Sequence, residues 1–215
     1  GVVSTPAGNN INLAVNYAIT NHLGAVISQS FGIPEYLIKG NNAQVMQAHF
    51  NYLLASQPSY DITVYASTGD SGASNGGPLN NAQYPSTDPY VTAVGGTNLF
   101  MKCSDGFNEG TNTWNNQTHF GISYNYEVAG NDYEAMIADG YPEPRDLVTT
   151  GGARSMLFPL PAWQNGLTLT LQNGLTITPT MRVTSDVSFD SGVYGGLGRV
   201  PYSALGYTIN YILGG

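Results

Sequence analysis

Asp61-Ile62-Thr63-Val64-Tyr65-Ala66-Ser67-Thr68-Gly69-Asp70-Ser71-Gly72 is the stretch on which the fold turns. Six residues of mostly β-branched and apolar character run straight into a glycine-rich loop that continues to Pro78, the pattern of a buried strand emptying into a wide turn. Upstream, Asn42 to Ala55 places Val45, Met46, His49, Phe50, Leu53 and Leu54 on one side of a helix, with Pro58 after it. Before that, Ala25-Val26-Ile27-Ser28 reads as a short buried strand, followed by Gln29-Ser30-Phe31-Gly32 and the breaker Pro34. A first helix fits Asn10 to Leu23, capped by Asn9 or Asn10 and closed by Gly24. Helix, strand, helix, strand is the order of a doubly wound α/β sheet with parallel strands and crossover helices. On such sheets ligands bind beyond the carboxyl ends of the strands, where Ser30 to Gly32 and Gly69 to Gly72 fall.

The second half has a different texture. Leu167 to Leu171 and Leu175 to Thr178 alternate around Asn173-Gly174, which predicts an antiparallel hairpin with a type I′ turn near residues 165–180. Residues 100 to 150 are rich in Asn, Gly and Tyr, and are expected to form long surface loops with a short helix around Tyr133 to Ala138.

The 215 residues are 41% hydrophobic with 15 Tyr and 7 Phe, enough for one sizeable core, so residues 1–215 are expected to form a single domain. Fourteen acidic against six basic residues give a net charge of -8, which repels phosphate backbones and anionic membranes and argues against nucleic acid as a partner. Only 9% of residues are charged. A chain with few carboxylates has little stability to lose when they are protonated, which suits acid. The lone Cys103 excludes an intrachain disulfide, and no Cys or His cluster has zinc-ligand spacing. No stretch reaches the ~18 to 20 apolar residues of a membrane span. The sequon Asn116-Gln117-Thr118 offers a glycosylation site compatible with an extracellular, secreted protein.

Several short motifs occur in a telling order: Ser28-Gln29-Ser30-Phe31-Gly32-Ile33-Pro34-Glu35, Ser67 to Gly72, Tyr84-Pro85-Ser86, and Pro89-Tyr90-Val91-Thr92-Ala93-Val94-Gly95-Gly96-Thr97. Gly151-Gly152-Ala153-Arg154-Ser155, Phe158 to Gln164 and Arg182-Val183-Thr184-Ser185-Asp186-Val187-Ser188 follow. Together they resemble the subtilisin-fold peptidases, and most of all the sedolisin, or serine-carboxyl, branch, from about residue 10 to the end. The resemblance implies a subtilisin-like sheet in which Ser30, Phe31 and Gly32 form one wall of a substrate cleft and Ser67, Thr68 and Gly69 another. It makes Asp70 the oxyanion-stabilising residue and Asp186 a buried structural carboxylate. Phe31 stands where the family usually has Trp, and Ser185 where it usually has Pro.

The chemistry makes Asp70 informative. Preorganised donors at a tetrahedral oxyanion are each worth roughly 10²- to 10³-fold in rate. A carboxyl group donates only when protonated, so the implied enzyme is an acid-active peptidase. The resemblance also implies a Ser nucleophile, a Glu base and an Asp orienting it, on segments outside this chain. The chain then reads as a processed or trimmed piece, incomplete at both ends, whose partners are polypeptide substrate and companion segments of the same precursor. A calcium site, in the family, would lie beyond the C-terminus; Asp105, Asn108 and Glu109 are better read as a solvated loop. His22, His49 and His119 are expected to pack or face solvent. The competing expectation is a catalytically inactive scaffold serving as an extracellular structural or binding subunit.

Overall fold

A computed structural model of the protein describes residues 11–56, 62–78, 80–103, 107–108, 113–114, 122–133, 149–171, 173–192, 198–204 and 207–213. In chain order the elements are α1 (Ile11–Thr20), β1 (Val26–Gln29), β2 (Ile33–Pro34), α2 (Asn41–Ser56), β3 (Thr63–Ser67), β4 (Gln83–Tyr84) and β5 (Thr92–Cys103). Next come β6 (Phe107–Asn108), β7 (Thr113–Trp114), β8 (Ile122–Ala129), β9 (Arg154–Pro159), β10 (Leu169–Thr170) and β11 (Thr176–Ile177). The series ends with β12 (Met181–Val183), β13 (Val187–Asp190), β14 (Gly198–Ala204) and β15 (Tyr207–Leu213). Among the described residues no helix is long and apolar enough to cross a membrane.

Two compact units divide the chain. The first takes residues up to 69 together with 73–94 and 151–187. Its sheet is parallel: β1 pairs with β3, Val26 opposite Thr63 through Gln29 opposite Ala66, and β3 pairs with the start of β5, Tyr65 opposite Thr92 through Ser67 opposite Val94. Val64 and Ala66, two apart and so on one face of β3, are buried with Val15 and Ile19 of α1, Leu53 of α2 and Val91. A second cluster joins Ile38, Met46, Tyr84 and Phe158, with Phe50 tilted against Phe158 at 5.4 Å and against Tyr90 at 5.7 Å.

The α/β reading of the first half holds, with three local corrections. Helix α1 stops at Thr20, and the residue that closes it is His22 rather than Gly24. His22 takes a left-handed conformation (φ 50°), while Leu23 N bonds Ala18 O at 3.0 Å and His22 N bonds Ile19 O at 3.1 Å, a Schellman closure. Strand β1, expected to be buried, leaves Val26 61% exposed, and among the described residues it pairs with β3 alone. On α2, Leu54 faces out at 47%.

The hairpin forms, but with another turn. Leu171 N donates to Leu175 O, Gly174 N donates to Leu171 O, both at 2.8 Å, and Gly174 alone of the Asn-Gly pair has positive φ (+82°). A type I′ turn needs positive φ at both central residues, so the loop is instead three residues long with Gly174 in the left-handed bulge position.

The second unit takes 70–72, 95–150 and 188 onward. Here the expectation of loops fails at residues 100–103 and 122–129: β5 runs to Cys103 and pairs antiparallel with β8, Thr97 opposite Ala129 through Cys103 opposite Ile122. The alternation Ile122-Ser123-Tyr124-Asn125-Tyr126-Glu127-Val128 is a period-two signal that the Asn- and Tyr-rich composition obscured. β14 and β15 form a seven-pair antiparallel ladder, Gly198 opposite Leu213 through Ala204 opposite Tyr207. The helix expected after Tyr133, the sequon at Asn116, and Asp105, Glu109 and His119 lie outside the described residues.

Candidate active site

Gln29 and Ala66 face each other at the carboxyl ends of adjacent parallel strands, so the residues after them, Ser30 to Gly32 and Thr68 to Gly69, leave the sheet side by side. Ser30, Phe31 and Gly32 are exposed, Phe31 by 37%. Ser67 and Gly69 are half-buried, and Thr68 is buried at 2%. The Thr68 hydroxyl therefore points inward, donating to Gly151 O at 2.8 Å, with Val94 O 3.2 Å away.

The glycine-rich segment after residue 150 supports this second turn from below. Gly151 N donates to Gly69 O at 2.5 Å, and a Cβ on Gly151 would run into the Thr68 carbonyl. Nothing larger than glycine fits so close to another backbone. Asn75 holds the same turn from above: its Nδ2 donates to Thr68 O at 3.3 Å and to Asn81 O at 2.9 Å.

The first turn is anchored by Glu35. Its carboxylate, 2% exposed, accepts Ser155 Oγ at 2.7 Å and Met156 N at 2.5 Å, tying the segment after Gly32 to β9. Beside the first wall, α1 and β1 leave an open groove of about 380 Å³ whose lining includes Gln29 and Phe31. Gln29 is 2% exposed, and neither atom of its side-chain amide has a partner among the described residues.

Asp70 belongs to the second unit. It is exposed; its carbonyl accepts Thr149 N at 2.9 Å, Gly72 N donates back to Thr149 O at 3.1 Å, and Ser71 and Thr149 form a parallel bridge. The turn is thus fixed through its main chain.

Asp186 sits in the first unit with its carboxylate fully engaged. It pairs with Arg182 (Nη2 to Oδ2 2.5 Å, Nη1 to Oδ1 2.7 Å), and accepts Ala93 N at 2.8 Å and Gln164 Nε2 at 3.4 Å. Arg182 is wholly buried and stacks over the Trp163 ring at 4.6 Å. His49 is buried at 1%, bonded through Nδ1 to Asn16 Oδ1 at 2.5 Å, and burial pushes its pKa down from 6.5 to about 4. Among the described residues no group of three or more His, Cys, Asp or Glu could hold a metal ion.

Gln83, Asn75, Gly151 and Glu35 are parts of this framework that motif reading did not assign. Gln83 leaves a two-residue strand, Asn75 and Gly151 stand in loops, and Glu35 opens a single turn of 3-10 helix, stretches too short for periodicity to tell which way a residue faces.

Parallel strands that end together, with glycine-rich turns carrying polar residues beyond them, define a subtilisin-like α/β fold. No family model matches the chain. Kumamolisin from Bacillus sp. (strain MN-32) is 30% identical over 145 residues, covering 66% of this chain and 20% of that protein. The structure of Pseudomonas sedolisin (serine-carboxyl proteinase), complexed with two molecules of pseudo-iodotyrostatin, matches over 99% of this chain and 49% of its own, with TM-score 0.66 and 24% identity. The chain is thus similar to proteins of the sedolisin family. It spans about half the length of the solved relative and a fifth of kumamolisin.

Proposed function

We propose that the chain is the cleft-bearing part of an acid-active, secreted serine-carboxyl endopeptidase that hydrolyses polypeptides, with Asp70 stabilising the oxyanion. The observation that carries the reading is the side-by-side exit of the Ser30–Gly32 and Thr68–Gly69 turns from neighbouring parallel strands, with Asp70 next in the chain. Ser30, Phe31, Gly32, Ser67 and Gly69 line the substrate side in this proposal, Thr68, buried, braces the second turn from within, and Asp186 holds the framework behind it. The family's Gly-Thr-Ser nucleophile motif does not occur in these 215 residues. In this proposal the nucleophile and the Glu and Asp pair come from other segments of the polypeptide or from companion chains.

Protonated Asp70 donates one hydrogen bond to the oxygen of the scissile carbonyl as that oxygen gains negative charge. Ionised, it has nothing to donate and repels the same oxygen. Activity is thus confined to acid.

In the full protein, Asp70→Ala is expected to lower kcat by about 10²- to 10³-fold on an unfolded protein substrate at acid pH. Asp70→Asn, whose amide donates at any pH, is expected to keep activity and extend it towards neutral. A loss below about tenfold on Asp70→Ala counts against the oxyanion role. The second reading, an inactive extracellular scaffold, draws on Phe31 and Ser185 replacing the family's usual Trp and Pro. It is the outcome if the full protein cleaves nothing between strongly acid and neutral pH.

A further inference from the structure

Gln83 stands between the two turns that the proposed cleft is built on. Its main chain belongs to the first: β4 pairs antiparallel with β2, Pro34 opposite Gln83 and Ile33 opposite Tyr84, and the adjacent Glu35 N to Ala82 O bond of 3.0 Å holds Gln83 against the strand that follows Gly32. Its side chain belongs to the second: Nε2 donates to Ser67 O at 3.0 Å. The residue is 8% exposed, and its carbonyl is fixed by Ser86 Oγ at 2.6 Å and Thr87 N at 3.2 Å.

Glycines mark where the amide touches each turn. A Cβ on Gly32 would lie 2.5 Å from Gln83 Cδ and 2.6 Å from its Nε2, and a Cβ on Gly69 would lie 3.0 Å from its Oε1. Asn75 Oδ1, at 2.2 Å, is the nearer neighbour of that position, and the φ of +102° at Gly69 favours glycine in its own right. The Gln83 amide is thus packed directly on the Gly32 backbone and lies beside Gly69.

We propose that Gln83 is a positioning residue that wedges the Ser30–Gly32 and Ser67–Gly69 turns at a fixed spacing and so sets how a polypeptide seats between them. This rests on the peptidase reading above. Gln83 touches no reacting atom in this role; it acts through the Ser67 carbonyl and the Gly32 backbone. Glutamine suits the position because it donates without carrying a charge, whatever the pH.

The test uses the full-length protein at acid pH with an unfolded protein or peptide substrate. Gln83→Ala is expected to lower kcat/KM about tenfold to a hundredfold, mainly through KM, because the turns lose their spacer. Gln83→Glu gives a readout that mere folding support would not move. Protonated, its carboxyl still donates to Ser67 O; ionised, it faces that carbonyl with charge. Its KM is therefore expected near wild type in strong acid and to climb as pH rises through the carboxyl range, against a flat wild-type KM. A wild type that cleaves while both variants keep KM within twofold at every pH overturns the proposal.

If the wild type cleaves nothing, the peptidase reading falls, and the wedge is judged by stability alone. Gly32→Ala is expected to lower the thermal midpoint, and Gln83→Ala is expected to restore part of that loss by making room. Additive midpoint shifts in the double variant overturn the wedge.

Discussion

Arg182 shows how one residue organises a site it does not enter. It is a fully buried cation, its charge met by Asp186, its Nη2 near Ser86 O at 3.5 Å and Val91 O at 3.4 Å, its Nη1 on Val183 O, its face on Trp163. Asp186 in turn fixes Ala93 N in β5, the neighbour of β3. Removing one partner of a buried pair leaves the other uncompensated, and the cost is about 3–5 kcal/mol. Asp186→Asn is therefore expected to lose about that much in denaturant unfolding, and Arg182→Met with Asp186→Asn to lose less than the two single changes summed. Arg182→Lys is not a mild change, since a lysine has no planar fork for both carboxylate oxygens. The motif pointed to Asp186, but its bond to Ala93 joins residues 93 positions apart, and neither that bond nor the stack of Arg182 on Trp163 is encoded by any spacing in the sequence.

At the scale of elements, two glycines with different reasons for being glycine make contrasting predictions. Gly174 turns the hairpin at φ +82° with open space around it, so an added methyl meets nothing and the penalty is the backbone's alone. Gly174→Ala is expected to cost about 1 kcal/mol in thermal unfolding. Gly151 has no such conformational need, but its Cβ position is taken by the Thr68 carbonyl, main chain that cannot step aside. Gly151→Ala is expected to cost about 3 kcal/mol, at the top of the range for overfilling a packed site, and to disturb the Thr68–Gly69 turn. Equal costs for the two would refute the distinction.

The hairpin, α2 and β3 were legible within a residue or two because each carries its own period and its own breakers. The β5 and β8 ribbon was not: its alternation is made of Ser, Asn, Tyr and Glu as well as apolar residues, a composition shared with loops. The exit turns were legible as cleft candidates from the strand order alone. What joins them, Gln83, Asn75 and Gly151, was not, since close backbone approach leaves only a glycine or an amide in the sequence as its trace.

For the molecule as a whole, the proposed acid habitat raises the question of how a fold with a buried histidine keeps its stability there. His49 is held down to about 4 from 6.5 by burial, so on folding in acid it must give up a proton that the unfolded chain keeps. Its contribution is present above 6.5 and is lost as pH falls to about 4. Asp88 works the other way. It is wholly buried, its Oδ1 accepting Tyr90 N at 2.9 Å and its Oδ2 without a partner among the described residues. Burial pushes its pKa up from 3.8 to about 7, against the pull of the Tyr90 N–H and of Arg182, whose charge Asp186 already neutralises. Tyr84, pressed edge-on against His49 at 6.3 Å, has a phenol that burial and then the Asp88 charge hold well above its ordinary value, so it stays neutral throughout. Folding therefore takes up a proton at Asp88, a contribution present below 3.8 and lost as pH rises through 7. Between about 4 and 6.5 the folded chain carries that proton on Asp88 and the unfolded chain carries one on His49; the counts match, and the pair adds no slope to stability. Breaking the match exposes each half. Relative to wild type, Asp88→Asn is expected to lose stability at about 1.4 kcal/mol per pH unit as pH falls from 6.5 to 4, and His49→Gln at a similar rate as pH rises over the same span. Every other titrating group is common to the three proteins, so the difference curves isolate these two. Urea midpoints measured at half-unit steps from pH 4 to 7 give those curves, and difference curves flat for both variants would show that neither buried group exchanges a proton on folding.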